Sequence, residues 1–243
     1  MSHHPNIISP PGTTTADRTV GELVAERPGR SRVFQDFKID FCCQGGRTLR
    51  EACERRGVAL ESILEQLEAE QHRNKVPDFN PAELPPAALA DYIVEKHHTF
   101  LRQELPRLHM MAERAAQVHG GHTPSLVTLF EVFKGMEDEL ISHMAKEEQV
   151  LFPAIKALDE GIPFFGPLDG PIACMMHEHE DAGSALAEMR ALSHDYSPPI
   201  EACNTYRALF AGLQDLEEDL HRHIHLENSI LFPAAQQLAS AAG

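Results

Sequence analysis

The chain is poor in positive charge: 21 Lys and Arg stand against 37 Asp and Glu in 243 residues, a formal net charge of -16. That balance argues against nucleic-acid binding, which rests on Lys and Arg meeting phosphate, and against docking on an anionic membrane surface. No run of about eighteen apolar residues occurs, so no transmembrane helix is expected. Met1 to Gly12 is polar and proline-rich without an apolar stretch, which predicts no secretory leader. The cysteines number five, an odd count, so a secreted disulfide framework is not expected and a cytoplasmic location is. Gly and Pro are not in excess, so most of the chain reads as globular, with length for one large domain or two smaller ones. Histidine is what abounds: there are 15, most of them after residue 96.

Two of these histidines open a repeat. His143-x-x-x-Glu147, followed by Leu151-Phe-Pro-Ala154, returns as His223-x-x-x-Glu227, followed by Leu231-Phe-Pro-Ala234. The offset is 80 residues (223 minus 143). A His and a Glu four apart on a helix share one face. One such pair is ordinarily a surface pair; two in equivalent positions point to a shared site. Stepping back 44 residues from His223 reaches His179, and 45 from His143 reaches His98. Each half then reads as a helix with His followed by a helix with His-x-x-x-Glu. Four imidazoles and two carboxylates are too many donors for one tetrahedral zinc. They suit two metals, each with two His, spanned by the carboxylates. Nitrogen and oxygen donors without thiolate favour iron or manganese.

The fold class is all-α. Residues 1–16 read as a disordered tail that includes His3 and His4. Residues 17–73 read as a small helical domain, with capping boxes at Thr19/Glu22 and Thr48/Glu51, Ser31 as the cap of a second helix, and a Cys42-Cys43-Gln-Gly-Gly46 loop. Its four short helices make a marginal core, which is expected to lean on something else, such as a partner subunit in a homodimer. Residues 74–86, with four prolines, read as a linker. Residues 87–243 read as an antiparallel four-helix bundle, with helices over about 87–119, 124–159, 171–193 and 199–239. Pro153 and Pro233 are expected to kink their helices.

Other candidates are weighed by angle around the helix. His97 sits about 100° from His98 and faces outward or backs a ligand; His177, His221 and His225, two positions from proposed ligands, are expected in solvent. Glu148 and Glu178 are either exposed or orient a ligand histidine. Cys53, Cys174 and Cys203 are expected as small buried apolar residues.

His98, His143-x-x-x-Glu147, His179 and His223-x-x-x-Glu227 on four helices resemble the hemerythrin-like domain. Asp40-Phe-Cys-Cys-Gln-Gly-Gly46 with Thr48-Leu-Arg-Glu-Ala52 resembles the short domain that precedes it in the iron–sulfur cluster repair proteins (the RIC, or YtfE/ScdA/DnrN, family). The resemblance covers about residues 18–240. It implies a cytoplasmic non-haem di-iron protein, with two oxo- and carboxylate-bridged irons held by His98, His143, Glu147, His179, His223 and Glu227. The implied role is repair of iron–sulfur proteins damaged by nitrosative or oxidative stress, by iron donation. Nitric oxide or dioxygen binding, or nitric oxide reduction, is the alternative. Oxygen-carrying hemerythrins have a further histidine one turn away on the third helix; here those positions are Met175 and Gly183, which argues against oxygen storage. Cys42 and Cys43 are expected to relay iron or to undergo redox exchange.

Overall fold

The computed structural model describes residues 14–73, 79–162, 166 and 168–242. Among them all regular structure is helical. They divide into two compact units: the described residues of Met1–Leu84 with Ile224–Pro233, and those of Pro85–His223 with Ala234–Gly243. His3, His4 and residues 74–78 of the expected linker lie outside the described residues.

In the first unit α1 (Val20–Glu26) and α3 (Leu49–Arg56) each open on a full capping box. The Thr19 and Thr48 hydroxyls accept the N–H of Glu22 and Glu51, and each Glu returns the bond to the threonine N–H. Two of the four N–H groups that a helix start leaves open are thereby satisfied. Gly57, at φ 71°, ends α3 in the left-handed region. Two expectations differ. Thr15–Asp17, at the end of the expected tail, forms a 3-10 turn with Ala16 buried. Helix α2 (Arg30–Asp36) is capped by Gly29 rather than Ser31, whose hydroxyl instead donates to the Pro28 carbonyl.

Helices α1 to α4 (α4 is Leu60–Arg73) close over Val20, Leu23, Phe34, Phe41, Leu49 and Ile63, and the same core includes Ile224. This small core thus draws a residue from the far end of its own chain. The chain passes close at Gly21: a Cβ at that position would stand 2.8 Å from Ser229 Oγ and 3.1 Å from the Gly45 carbonyl oxygen, which would have to shift to admit it. Arg27 and Glu70 form a buried ion pair at 2.7 Å.

The second unit contains four long helical runs. The first is α5 (Pro86–Ile93), a π turn (Val94–His98) and α6 (Thr99–His119). The second is α7 (Ser125–Lys146), a π turn (Glu147–Leu151) and α8 (Phe152–Asp159). The third is α9 (Asp169–Leu192). The fourth, whose residues 224–233 group with the first unit, is α10 (Asn204–Leu226), a π turn (Glu227–Leu231) and α11 (Phe232–Ala242). Leu105, Phe133, Leu186 and Leu213, one from each run, lie in a single apolar core. Helix α10 begins at Asn204, not near Pro199, because Arg207 binds the carbonyls of Pro199, Ile200 and Ala202 and holds that stretch in a turn.

A π turn stands before each of the two prolines expected to kink its helix. Proline cannot donate to the carbonyl four residues back, and its ring crowds that carbonyl. Before Pro153 and Pro233 the helix therefore widens for one turn and continues. The first π turn has no proline after it. There the Thr99 hydroxyl donates to the Val94 carbonyl, at 3.2 Å, and competes with the helical ladder. Such turns recur at functional sites, and here His98, Glu147 and Glu227 all stand on them.

Candidate metal centre

The six residues singled out by the repeat come together. His98, Glu147, His223 and Glu227 offer donor atoms that all lie within 4.8 Å of one another; so do His143, Glu147, His179 and Glu227. Both groups contain the two glutamates, and each has its own pair of histidines. Five of the six come from the second unit, and Glu227 from the next turn of the helix that carries His223. All six side chains are buried, His98, Glu147 and Glu227 completely.

The hydrogen bonds fix which ring nitrogens face inward. His98 Nδ1 donates to Glu148 Oε1 at 2.6 Å, and His143 Nδ1 to Glu178 Oε2 at 2.8 Å. A carboxylate only accepts, so each Nδ1 carries its proton and each neutral ring turns its Nε2 lone pair into the cluster. There His98 Nε2 and His143 Nε2 stand 3.3 and 3.4 Å from the same oxygen, Glu147 Oε2. His179 Nε2 and His143 Nε2 are 3.1 Å apart. Donors that share an ion at about 2 Å have separations of this order. Neither oxygen of Glu147 accepts a hydrogen bond among the described residues. A buried carboxylate left so is costly unless a cation meets it. The donor set therefore fits a metal.

The outer carboxylates are held in turn. Glu148 accepts from Arg102 Nη2 at 2.7 and 2.8 Å. Burial pushes the Glu148 carboxyl up, but the bonds from His98 and Arg102 outweigh it and leave the group below its ordinary range. Glu178 has the same balance: burial raises it, and Lys146, His143 and Cys174 bring it down further. Both acids thus stay ionised and orient a histidine, which makes the inner nitrogen more basic. His97 faces inward enough to stack on His223 (centroids 5.4 Å, 7° between planes) and bonds Asp219 at 3.0 Å.

Three expectations fail. His225 is buried rather than solvated, packed edge-on to Phe41 with centroids 5.8 Å apart. Its face of the last helix is covered by Phe41 of the Cys-Cys loop, which the angle around the helix alone does not reveal. Burial pulls its pKa down to about 4, against the Phe41 backbone carbonyl, which favours the protonated ring and raises it. Cys174 and Cys203 are exposed, and only Cys53 of the three is buried. Cys174 donates to Glu178 at 3.4 Å, and Cys203 lies 3.2 Å from His119 Nε2. Polar partners at the surface, unlike a core, leave no pattern in apolar spacing. His177 is exposed, as expected.

Cys42 is buried and Cys43 half-buried. The Cys42 thiol is held well above its ordinary range by its hydrogen bond with Cys43 and by burial. Asp40, which sequence reasoning passed over, joins them as a third donor within 4.8 Å. Its position just before the pair is the Asx-turn spacing that marks such a residue.

Helices carrying a buried cluster of four histidines and two shared glutamates define a cation-binding protein of the hemerythrin class. The hemerythrin HHE cation binding domain family matches residues 89–235, and ScdA_N, a domain of unknown function, matches residues 16–71. The iron–sulfur cluster repair protein YtfE of Edwardsiella ictaluri is 41% identical over 227 residues, covering 91% of this chain and 98% of that one. Those of Musicola paradisiaca and Escherichia coli are 38% and 37% identical over 222 and 221 residues, each covering 90% of this chain and 96% of its own. The chain belongs to the YtfE family. Among the described residues no helix is long and apolar enough to cross a membrane.

Proposed function

We propose that this protein holds two iron ions on His98, His143, Glu147, His179, His223 and Glu227 and donates iron to repair damaged iron–sulfur clusters. The observation that carries the reading is the pair of overlapping four-residue groups. Each contains two histidines, and Glu147 and Glu227 belong to both, as expected of carboxylates that bridge two ions. When bound, iron supplies Lewis acidity and open positions for a small ligand. The chain does the rest. Glu148 and Glu178 keep the proton on Nδ1 of His98 and His143, Arg102 and Lys146 hold those acids in place, and Phe152, stacked on His98 at 5.8 Å, shields the ring. Cys42 and Cys43 receive the outgoing iron in this reading. Its clients are damaged iron–sulfur proteins of the cytoplasm; neither nucleic acid nor a membrane has a part in it. That the relatives are named as iron–sulfur cluster repair proteins supports the reading.

A second reading is favoured by the donor count: six side chains leave two ions with open positions for nitric oxide or dioxygen. Met175, buried one turn before His179, and Gly183 after it offer no further imidazole. The deciding experiment loads the full chain with iron(II), adds an apo iron–sulfur enzyme, and follows iron transfer and recovered activity together. Transfer with recovery is expected. Steady nitric oxide consumption with a reductant, or reversible dioxygen binding, without any transfer would overturn the first reading in favour of the second.

A further inference from the structure

The loop between α2 and α3 is built around one carboxylate. Asp40 Oδ1 accepts the N–H of Cys42 at 3.0 Å and of Cys43 at 2.9 Å. This Asx turn brings the two sulfurs to 3.7 Å from each other and Cys42 Sγ to 3.2 Å from the same oxygen. A disulfide is disfavoured because consecutive Cα atoms are about 3.8 Å apart, short of the span a disulfide prefers. Cys42 is buried, Cys43 half-buried and Asp40 exposed.

We infer that Asp40, Cys42 and Cys43 form a cation site of their own, the landing point for iron(II) that leaves the histidine–glutamate centre. The proposal rests on the iron-donation reading and deepens it. Thiolate donors select borderline and soft cations over magnesium or calcium. Three protein donors leave one position of a tetrahedral ion open, the arrangement of sites that exchange a ligand rather than of closed structural sites. A carboxylate has about four lone-pair positions, so Asp40 can hold the two N–H groups and still meet an ion. The step is a ligand exchange: two S–H bonds break, two metal–sulfur bonds form, and two protons pass to solvent, with no change of oxidation state.

The loop is also fixed to the segment that supplies a shared carboxylate. Asn228, next to Glu227 in sequence, donates through Nδ2 to the Cys42 carbonyl at 3.3 Å, and Phe41 packs on His225. Both contacts lie within the first unit.

The test uses the full chain, loaded with iron(II) under anaerobic conditions and then titrated with cobalt(II). Thiolate bound to cobalt gives a near-ultraviolet charge-transfer band that imidazole and carboxylate do not. The expected result is a saturating band that Cys43→Ser abolishes. Asp40→Asn, which keeps an oxygen for the two N–H groups, is expected to weaken it by about tenfold or more. No band in the native chain would overturn the site. So would a band that survives Cys42→Ser/Cys43→Ser, which would belong to Cys53, Cys174 or Cys203. Iron delivery to an apo enzyme is scored separately. A thiolate band without delivery upholds the cation site and refutes the donation reading, and with it the landing role. Delivery undiminished in Cys43→Ser refutes the landing role alone.

Discussion

Replacing Glu147 by glutamine is expected to make the metal-free protein more stable and the metal-loaded protein less so. Glu147 is fully buried, and neither of its oxygens accepts a hydrogen bond among the described residues. Its nearest cationic candidates, His98 Nε2 and His143 Nε2 at 3.3 and 3.4 Å, already carry a proton on Nδ1, donated to Glu148 and Glu178. With Nδ1 donating to the outer acid, each ring turns a Nε2 lone pair rather than an N–H toward Glu147, whose charge has no donor facing it among the described residues. Glutamine keeps the shape and removes the charge. The relief is roughly 2 kcal/mol, since a buried polar group without a partner costs about 1–3 kcal/mol. For a chain of this size that raises Tm by about 4–8 °C. With iron(II) at about 100 times Kd, the native chain gains roughly 2.7 kcal/mol by linkage. The variant has lost a donor from both four-residue groups, and an affinity loss of about 100-fold would remove ~2.3 kcal/mol of that gain, more than the roughly 2 kcal/mol relief. The two melting curves should therefore exchange order when iron is added, read by scanning calorimetry at pH 8 with and without metal. A metal-free Glu147→Gln chain that melts below the native one would refute the claim of an uncompensated charge. Equal stabilisation by iron in both would refute its role as a ligand.

Three further outcomes follow. Glu148→Gln and Glu178→Gln should each weaken iron binding by about 10- to 100-fold in a competitive chelator titration while leaving the helical circular dichroism unchanged, since each orients a histidine without touching the ion. Ile224→Ala should cost about 2–5 kcal/mol and loosen the first unit selectively, seen as faster amide exchange in α1 to α4. Thr48→Ala should lower stability by about 1 kcal/mol in urea unfolding by removing the cap of α3, with no effect on metal affinity.

The repeat made most of the site legible. Donors on helices obey a period, so His143-x-x-x-Glu147 and its copy at 223 marked one face, and the offset between copies reached His98 and His179. The capping boxes at Thr19 and Thr48 were equally readable, because a cap is a contact between residues three apart. Glu148 and Glu178 were found but not decided. Whether a carboxylate beside a ligand points to solvent or to the histidine of another helix depends on which helix is its neighbour. Asp40 and His225 were missed or misplaced for the same reason: what covers a loop or a helix face is a long-range fact.

The residue types at periodic positions, fixed by helical geometry, thus pointed to the helices and to the six side chains that the fold brings together. Tertiary structure decided what periodicity cannot encode. Packing made both glutamates common to the two histidine pairs. It gave His98 and His143 the outer acids that set their tautomers, and it completed the small N-terminal core with Ile224 from the far end of the same chain. Each of these pairs side chains far apart in sequence, and a contact between distant residues leaves no spacing for a single sequence to show.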